Sequence, residues 1–248
     1  MTVIAVTGDG ATTTAVSLAA GWPTEAILIE ADPAGGDLAA WFDVPPTFTD
    51  LVTRADGVAG WEQHVQLAAN GLQVVAGAPR AREAVRSVAE SDPIARLLAA
   101  SEATTAIVDV GRIDPATVWN PLLIVADVLV MVHRQAQQSA RAAAVRLQRL
   151  ADDVASLAHL ACRQRVVAVI GPRPYGPDEI GRLVSADGDE IPVIALPDDP
   201  LAAAVFAGRD GVSARRLARL PLSRAGRDLA GFLDALPTEG GQVPGDAR

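Results

Sequence analysis

The sequence predicts an α/β protein whose parallel sheet is covered by helices on both faces. Short apolar runs rich in Val and Ile, bounded by Gly, Pro or Asp, recur along nearly the whole chain. Their continuous rather than alternating apolarity marks strands buried on both sides. Helix-length patterns separate these runs, the order expected of a parallel sheet. The composition agrees. Of 248 residues, 50% are hydrophobic and 21% charged, which suffices for a sizeable core and excludes wholesale disorder.

In chain order, Val3–Val6 is the first strand, and Thr7-Gly8-Asp9-Gly10-Ala11-Thr12-Thr13-Thr14 turns it into a helix ending near Gly21. Ala26–Ile29 is the second strand, running into Glu30-Ala31-Asp32-Pro33-Ala34-Gly35-Gly36-Asp37. Leu72–Val75, Ala106–Val110 and Val128–Val132 follow, and then the clearest helix, about Gln137 to Ala161. There Ala143, Leu147, Leu150, Val154, Leu157 and Ala161 recur at four-three spacing, a seam suited to a crossover helix on the sheet or to a coiled-coil dimer. Val166–Ile170 and Pro192–Ala195 complete the strands. A last helix carries Leu229, Phe232, Leu233 and Leu236 as an apolar face, for core packing or a membrane surface. No linker or repeat interrupts the order, so residues 1–237 are expected to form one domain, with Thr238–Arg248 as a flexible tail.

Several functions are excluded early. The longest apolar stretch, Pro121 to Val132, contains Asp127 and is far short of the ~20 residues that span a bilayer. No basic residue precedes the first strand, so no signal peptide is read. The lone Cys162, expected to be a small residue at a helix end, forms no internal disulfide, and three scattered histidines offer no zinc spacing. These features predict a soluble cytosolic protein. All 21 basic residues are arginine, which removes Schiff-base and lysine–phosphate chemistry. The charge is uneven: residues 1–79 hold nine acids and only Arg54.

The chemistry is expected where strands end. A glycine turn between strand and helix presents backbone N–H groups and a helix N-terminus to an anion. Glu30 and Asp32 follow the second strand, and Asp109 lies in a third, followed by Gly111 and Arg112. Acids at the C-terminal ends of parallel strands stand where open α/β sheets hold ligands. Each has a plainer alternative. Thr12 or Asp9 caps the first helix, Asp32-Pro33 starts a turn, and Asp109 holds that turn's backbone.

TGDGATTTAVSLAAGW followed by ILIEADPAGGDLAAWF resembles the start of the ParA/MinD family of deviant Walker P-loop ATPases. The family's K-G-G-x-G-K-[ST]-T falls on Val6 to Thr13 and its D-x-D-P-x-G on Glu30 to Gly35. Ala106 to Asp109 is similar to its Walker B strand, and Ala126 to Val132 to its next strand, leading to a helix with Ser139. Ile194 to Pro200 resembles the adenine loop. The resemblance implies a doubly wound, mostly parallel sheet of about seven or eight strands. It implies nucleotide contacts from Gly8, Asp9, Gly10, Ala11, Thr12, Thr13, Pro197 and Asp198. Magnesium would be held by Thr12, Asp32 and Asp109, with Glu30 and Asp32 as the candidates for catalysis.

The departures shape the expected function. The family's two lysines, one on the β- and γ-phosphates and one reaching across an ATP-sandwich dimer, are Ala11 and Val6 here. A glycine is Thr7, the variable position is Asp9, and the adenine-recognising residue falls near Gly171-Pro172. A charge-assisted hydrogen bond contributes about 1.5–3 kcal/mol, and a transition-state cation in phosphoryl transfer is worth about 10³–10⁵ in rate. ATP or ADP with Mg²⁺ is therefore expected to bind weakly or not at all, with no substantial hydrolysis unless Arg112 or Arg134 supplies the cation.

The E-A-D-P-x-G-G-D-L stretch, the PDDP segment and Tyr175 to Ile180 resemble TadZ/CpaE-type members. That likeness implies a positioning or scaffold factor for a pilus or secretion machine. Its partner would be a motor ATPase or membrane component, which would recruit it to the inner face of the membrane without insertion. The alternative is a ParA-like partitioning ATPase that binds ATP and non-specific DNA. Its feature is Arg209, Arg215, Arg216, Arg219, Arg224 and Arg227, opposed in sequence only by Asp210, though such a cluster also reads as a solvated face. A homodimer, lacking the signature lysine, is expected to be nucleotide-independent.

Overall fold

The computed structural model describes residues 2–54, 61–100, 104–112, 120–135, 139–157, 164–185, 190–209 and 212–236. Its centre is β1 (Val3–Gly8), flanked in parallel by β5 (Thr105–Asp109) and β6 (Val128–Arg134). Beyond β5 lie β2 (Ala26–Glu30), β4 (Gln73–Val75) and β3 (Gln66–Leu67). Beyond β6 lie β7 (Gln164–Ile170) and β8 (Val193–Leu196), giving the order β3-β4-β2-β5-β1-β6-β7-β8. Seven strands are parallel and only the edge strand β3 is antiparallel. The expected α/β architecture is what the chain forms. The order turns back at β1, the switch point where an open sheet leaves a crevice.

Both faces are covered, as the continuous apolar strands require. On one face α1 (Ala11–Gly21) and α11 (Pro221–Asp234) pack over Ile4, Val6, Leu28, Val130 and Val132. On the other, α5 (Asp92–Ala100), α7 (Ala140–Ser156) and α8 (Pro177–Val184) cover Ala5, Ile29, Val108, Leu129 and Met131. α7 is the sheet-facing crossover helix: Leu147, Leu150 and Val154 are buried in that second core. Ser139 starts it by accepting from Ala142 N–H, and it ends at the C-cap Leu157. Ala161 and Cys162 lie outside the described residues.

α11 buries Leu229 and Leu233 against α1, but Phe232 is on the exposed side, a correction to the expected apolar face. Its contact with α1 is close. A Cβ on Gly226 would collide with Ser17, and one on Gly21 would lie 2.8 Å from Arg227 N. Ser17 Oγ–H donates across this seam to Leu222 O at 3.0 Å. Asp127 serves the fold: its Oδ2 accepts from Val3 N–H at 2.9 Å, fixing the start of the central strand.

The remaining helices are short: α2 (Leu38–Phe42), α3 (Phe48–Arg54), α4 (Ala81–Ala89), α6 (Pro121–Ile124), α9 (Pro200–Phe206) and α10 (Ala214–Leu217). Among the described residues no helix is long and apolar enough to cross a membrane.

Candidate functional site

β1 ends at Gly8 and α1 begins at Ala11, so only Asp9 and Gly10 make the turn. Gly8 and Gly10 have φ of 110° and 102°, in the region that favours glycine. A Cβ on Gly8 would also strike the Val132 carbonyl oxygen. Two loop N–H groups are used within the fold: Gly8 donates to Gly111 O at 2.9 Å and Asp9 to Val132 O at 3.0 Å. Thr7, in place of a family glycine, donates its Oγ1–H to the same Gly111 oxygen at 2.8 Å. The N-cap residue of α1 is Gly10, with no side-chain hydrogen bond to the helix. Neither Thr12 nor Asp9 caps it, contrary to the plainer sequence reading. Among the described residues no side chain accepts from the first-turn N–H groups, as at an anion-binding helix start.

The Asp9 carboxylate turns toward α7. Its Oδ2 is 2.7 Å from Arg146 Nη2 and its Oδ1 3.4 Å from Arg112 Nη2. The Arg146–Asp9 pair is partly exposed, with side chains 34% and 31% accessible, so it contributes roughly 1 kcal/mol or less to stability. Its importance is positional. Arg134, the other arginine considered as a replacement cation, places Nη1 2.7 Å from Asp198 Oδ1. Val6 is fully buried within β1 and Ala11 is buried at the start of α1, so neither position of the resembled pattern's lysines carries a cation.

The sheet register brings the acids together, Glu30 of β2 lying beside Asp109 of β5 and Asp109 beside Val6 of β1. Glu30 is buried and its carboxylate accepts four contacts from three main-chain donors. Asp37 N–H lies at 2.8 Å, Leu38 N–H at 3.1 and 3.3 Å, and Gly77 N–H at 2.9 Å. A Cβ on Gly36 would collide with that carboxylate, so this glycine makes room for the acid. Burial raises Glu30's pKa, offset in part by these donors. This is the geometry of an anchor for the loop before α2.

Asp32 Oδ1 accepts from Ala34 N–H at 2.7 Å, closing the turn through Pro33, and burial raises its pKa too. Its carboxylate packs on Gly111, where any Cβ would overlap it. Asp109 is wholly buried. Its Oδ1 accepts from Gly111 N–H at 3.0 Å, while its buried Oδ2 has no hydrogen-bond partner among the described residues. Burial pushes its pKa to about 7, with the Thr12 hydroxyl and Gly111 N–H lowering it and Glu30 and Asp32 raising it. Thr12 and Asp109 are thus neighbours. Among the described residues no group of three or more acids, His or Cys has the arrangement of a metal cage.

Beside the loop, a cavity of about 360 Å³ is lined by Thr13, Arg134, Ile170, Pro197, Asp198 and Ala204. Pro197 and Asp198 therefore do share a hollow with the loop helix. Asp199, the second acid of the PDDP segment, instead caps α9 through Ala202 N–H and accepts from Leu222 N–H.

A strand, a two-glycine turn and a helix at the switch point of a doubly wound sheet, with acids on the adjoining strand ends, define a P-loop NTPase fold of the ParA/MinD kind. Comparison with solved structures gives the same fold. The chain superimposes on a ParA family ATPase from Chlorobium tepidum TLS with a TM-score of 0.69, at 20% identity over 94% of this chain and 98% of that one. It matches the septum site-determining protein MinD complexed with Mg-ADP from Pyrococcus horikoshii OT3 at 0.66, with 15% identity over 95% and 96%. A Cyanothece McdA variant in complex with ATP matches at 0.64, with 15% identity over 97% and 99%. No family model matches the sequence, and no curated protein sequence matches it.

Proposed function

We propose that the protein is a catalytically impaired ParA/MinD-like factor that works by docking to partners rather than by turning over ATP. One observation carries this reading: the loop brings a carboxylate, Asp9, where the family pattern leaves its variable position, and the nearby guanidinium groups of Arg112 and Arg146 are engaged with it. The phosphate-binding parts fit a nucleotide only in part. The open helix start, Thr12, Asp109 and the hollow beneath Pro197 suit a base and a magnesium-linked phosphate. Buried Val6 and Ala11 supply no cation for the β- and γ-phosphates, and the transition-state stabilisation such a cation gives is the largest lever in phosphoryl transfer.

The partners that suit this reading are a motor ATPase or membrane component of a pilus or secretion machine, as the TadZ/CpaE-like segments suggest. Phosphate-release and calorimetric titrations with ATP·Mg²⁺ test the core claim. The expected outcome is hydrolysis at background and weak or absent nucleotide binding. Asp9→Gly combined with Ala11→Lys should raise nucleotide affinity, by ~10-fold or more from one charge-assisted hydrogen bond. Turnover typical of an ATPase of this fold, abolished by Asp109→Ala, overturns the reading. Co-purification with a motor ATPase encoded by a neighbouring gene tests the partner assignment.

A second reading, a partitioning factor that binds DNA, is favoured by one feature. Arg209, Arg215, Arg216, Arg219, Arg224 and Arg227 are all exposed, and none forms a salt bridge among the described residues. Duplex binding at ~50 mM salt that weakens steeply with added salt, and is lost in Arg215→Ala/Arg216→Ala, would support it.

A further inference from the structure

On the α7 side of the loop, away from Pro197, lies a second cavity of about 260 Å³. Its polar wall carries Arg112, Arg146 and Arg149, and His133 at the end of β6; Met131 and Leu150 form an apolar floor. Asp9 and Asp153 are the acids on this lining, so three arginines and two acids line it in a protein whose net charge is −9. Burial first, and then Arg146, lower the pKa of His133, consistent with a positive field at this wall. Arg146 and Arg149 are three residues apart on one helix, which places them on the same face.

The cavity holds an internal anion already. The two oxygens of Asp9 are approached by guanidinium groups from different parts of the chain, Arg112 after β5 and Arg146 on α7. A carboxylate offers two oxygens in a plane. A terminal phosphate offers three arranged tetrahedrally, a better match to three forked donors. The volume is too small for a nucleoside triphosphate and suits a compact ligand, and the Met131–Leu150 floor suits a carbon body.

We propose that this cavity is a binding site for a small phosphomonoester, whose phosphate engages Arg146, Arg149 and Arg112 in competition with the Asp9 carboxylate. The cavity shares Thr7, Gly8 and Asp9 with the loop but lies apart from the hollow beside Pro197.

Titration calorimetry with inorganic phosphate and phenyl phosphate, in chloride buffer, tests it on the full chain, with ¹⁵N NMR of arginine Nε–H and backbone amide signals as the map. Both probes should bind, phenyl phosphate more tightly through the apolar floor. Saturation should shift the Nε–H resonances of Arg146 and Arg149. Asp9→Asn removes the competing charge and should tighten binding by roughly tenfold, the effect of about one charge-assisted hydrogen bond. Arg146→Gln/Arg149→Gln should abolish it. No saturable binding to folded Asp9→Asn overturns the proposal. So does binding that shifts only the amides of Gly10, Thr12 and Thr13 and survives the double arginine change, since that places the anion at the loop instead.

Discussion

Replacing Asp109 by asparagine isolates the cost of burying an acid at the centre of the sheet. In the folded protein its pKa is raised from 3.8 to about 7, chiefly by burial. Between those values the folded state keeps a proton that the unfolded chain has released. Stability therefore falls as pH rises through this window and levels off above about 7. At ~1.36 kcal/mol per pH unit the accumulated loss is on the order of 4 kcal/mol. The variant cannot ionise, and it keeps an oxygen for Gly111 N–H. Its amide nitrogen falls at the buried Oδ2 position, which has no hydrogen-bond partner among the described residues although the Thr12 hydroxyl is near, a pH-independent penalty of up to about 1–3 kcal/mol. The variant should thus be the less stable protein near pH 4 and the more stable one near pH 8. Urea unfolding of both proteins across that range measures the difference. A difference that stays flat with pH would refute the argument, because it would mean that Asp109 ionises in the native state as it does in the unfolded chain.

Three further outcomes follow from the same geometry. Glu30→Ala leaves three buried main-chain donors without an acceptor and should cost about 3 kcal/mol or more by urea unfolding; a change under ~1 kcal/mol would show that water replaces the carboxylate. Gly8→Ala forces a Cβ into the Val132 carbonyl at φ 110° and should lower stability by at least ~1–3 kcal/mol, read as a fall in Tm. Light scattering should give the same mass with and without ATP and magnesium, because buried Val6 cannot reach across an interface; a monomer that dimerises only with ATP would contradict this.

The sheet was legible in the sequence because its strands are buried on both faces and so read as unbroken Val/Ile runs. β3 was not: two residues, Gln66–Leu67, with Leu67 largely exposed, carry neither a run nor an alternation. The loop was legible from Gly8 and Gly10, whose backbone angles leave few other residues possible. What surrounds Asp9 was not, since Arg146 lies 137 residues away and nothing local in α7 marks it. Glu30 shows the same limit. Its position at a strand end suggested catalysis, while the three main-chain donors that occupy it arise from the path of two loops. Gly36 was the available signal, a place where a side chain had to be absent so that the carboxylate could enter. Phe232 misled because apolarity alone does not fix which side of a helix faces inward.

The seam between α1 and α11 has a consequence for how the protein is made. The helix that carries the glycine loop is synthesised well before its cover, since the partner helix spans Pro221–Asp234, some two hundred residues later. Until then, the side of α1 that carries Ser17 and Gly21 lacks the helix that packs on it. Domains fold as units during synthesis, and uncovered apolar surface invites misassembly in the meantime. The loop therefore becomes a finished binding surface only once α11 has been made, and a chain cut short before α11 would present α1 to the wrong partners.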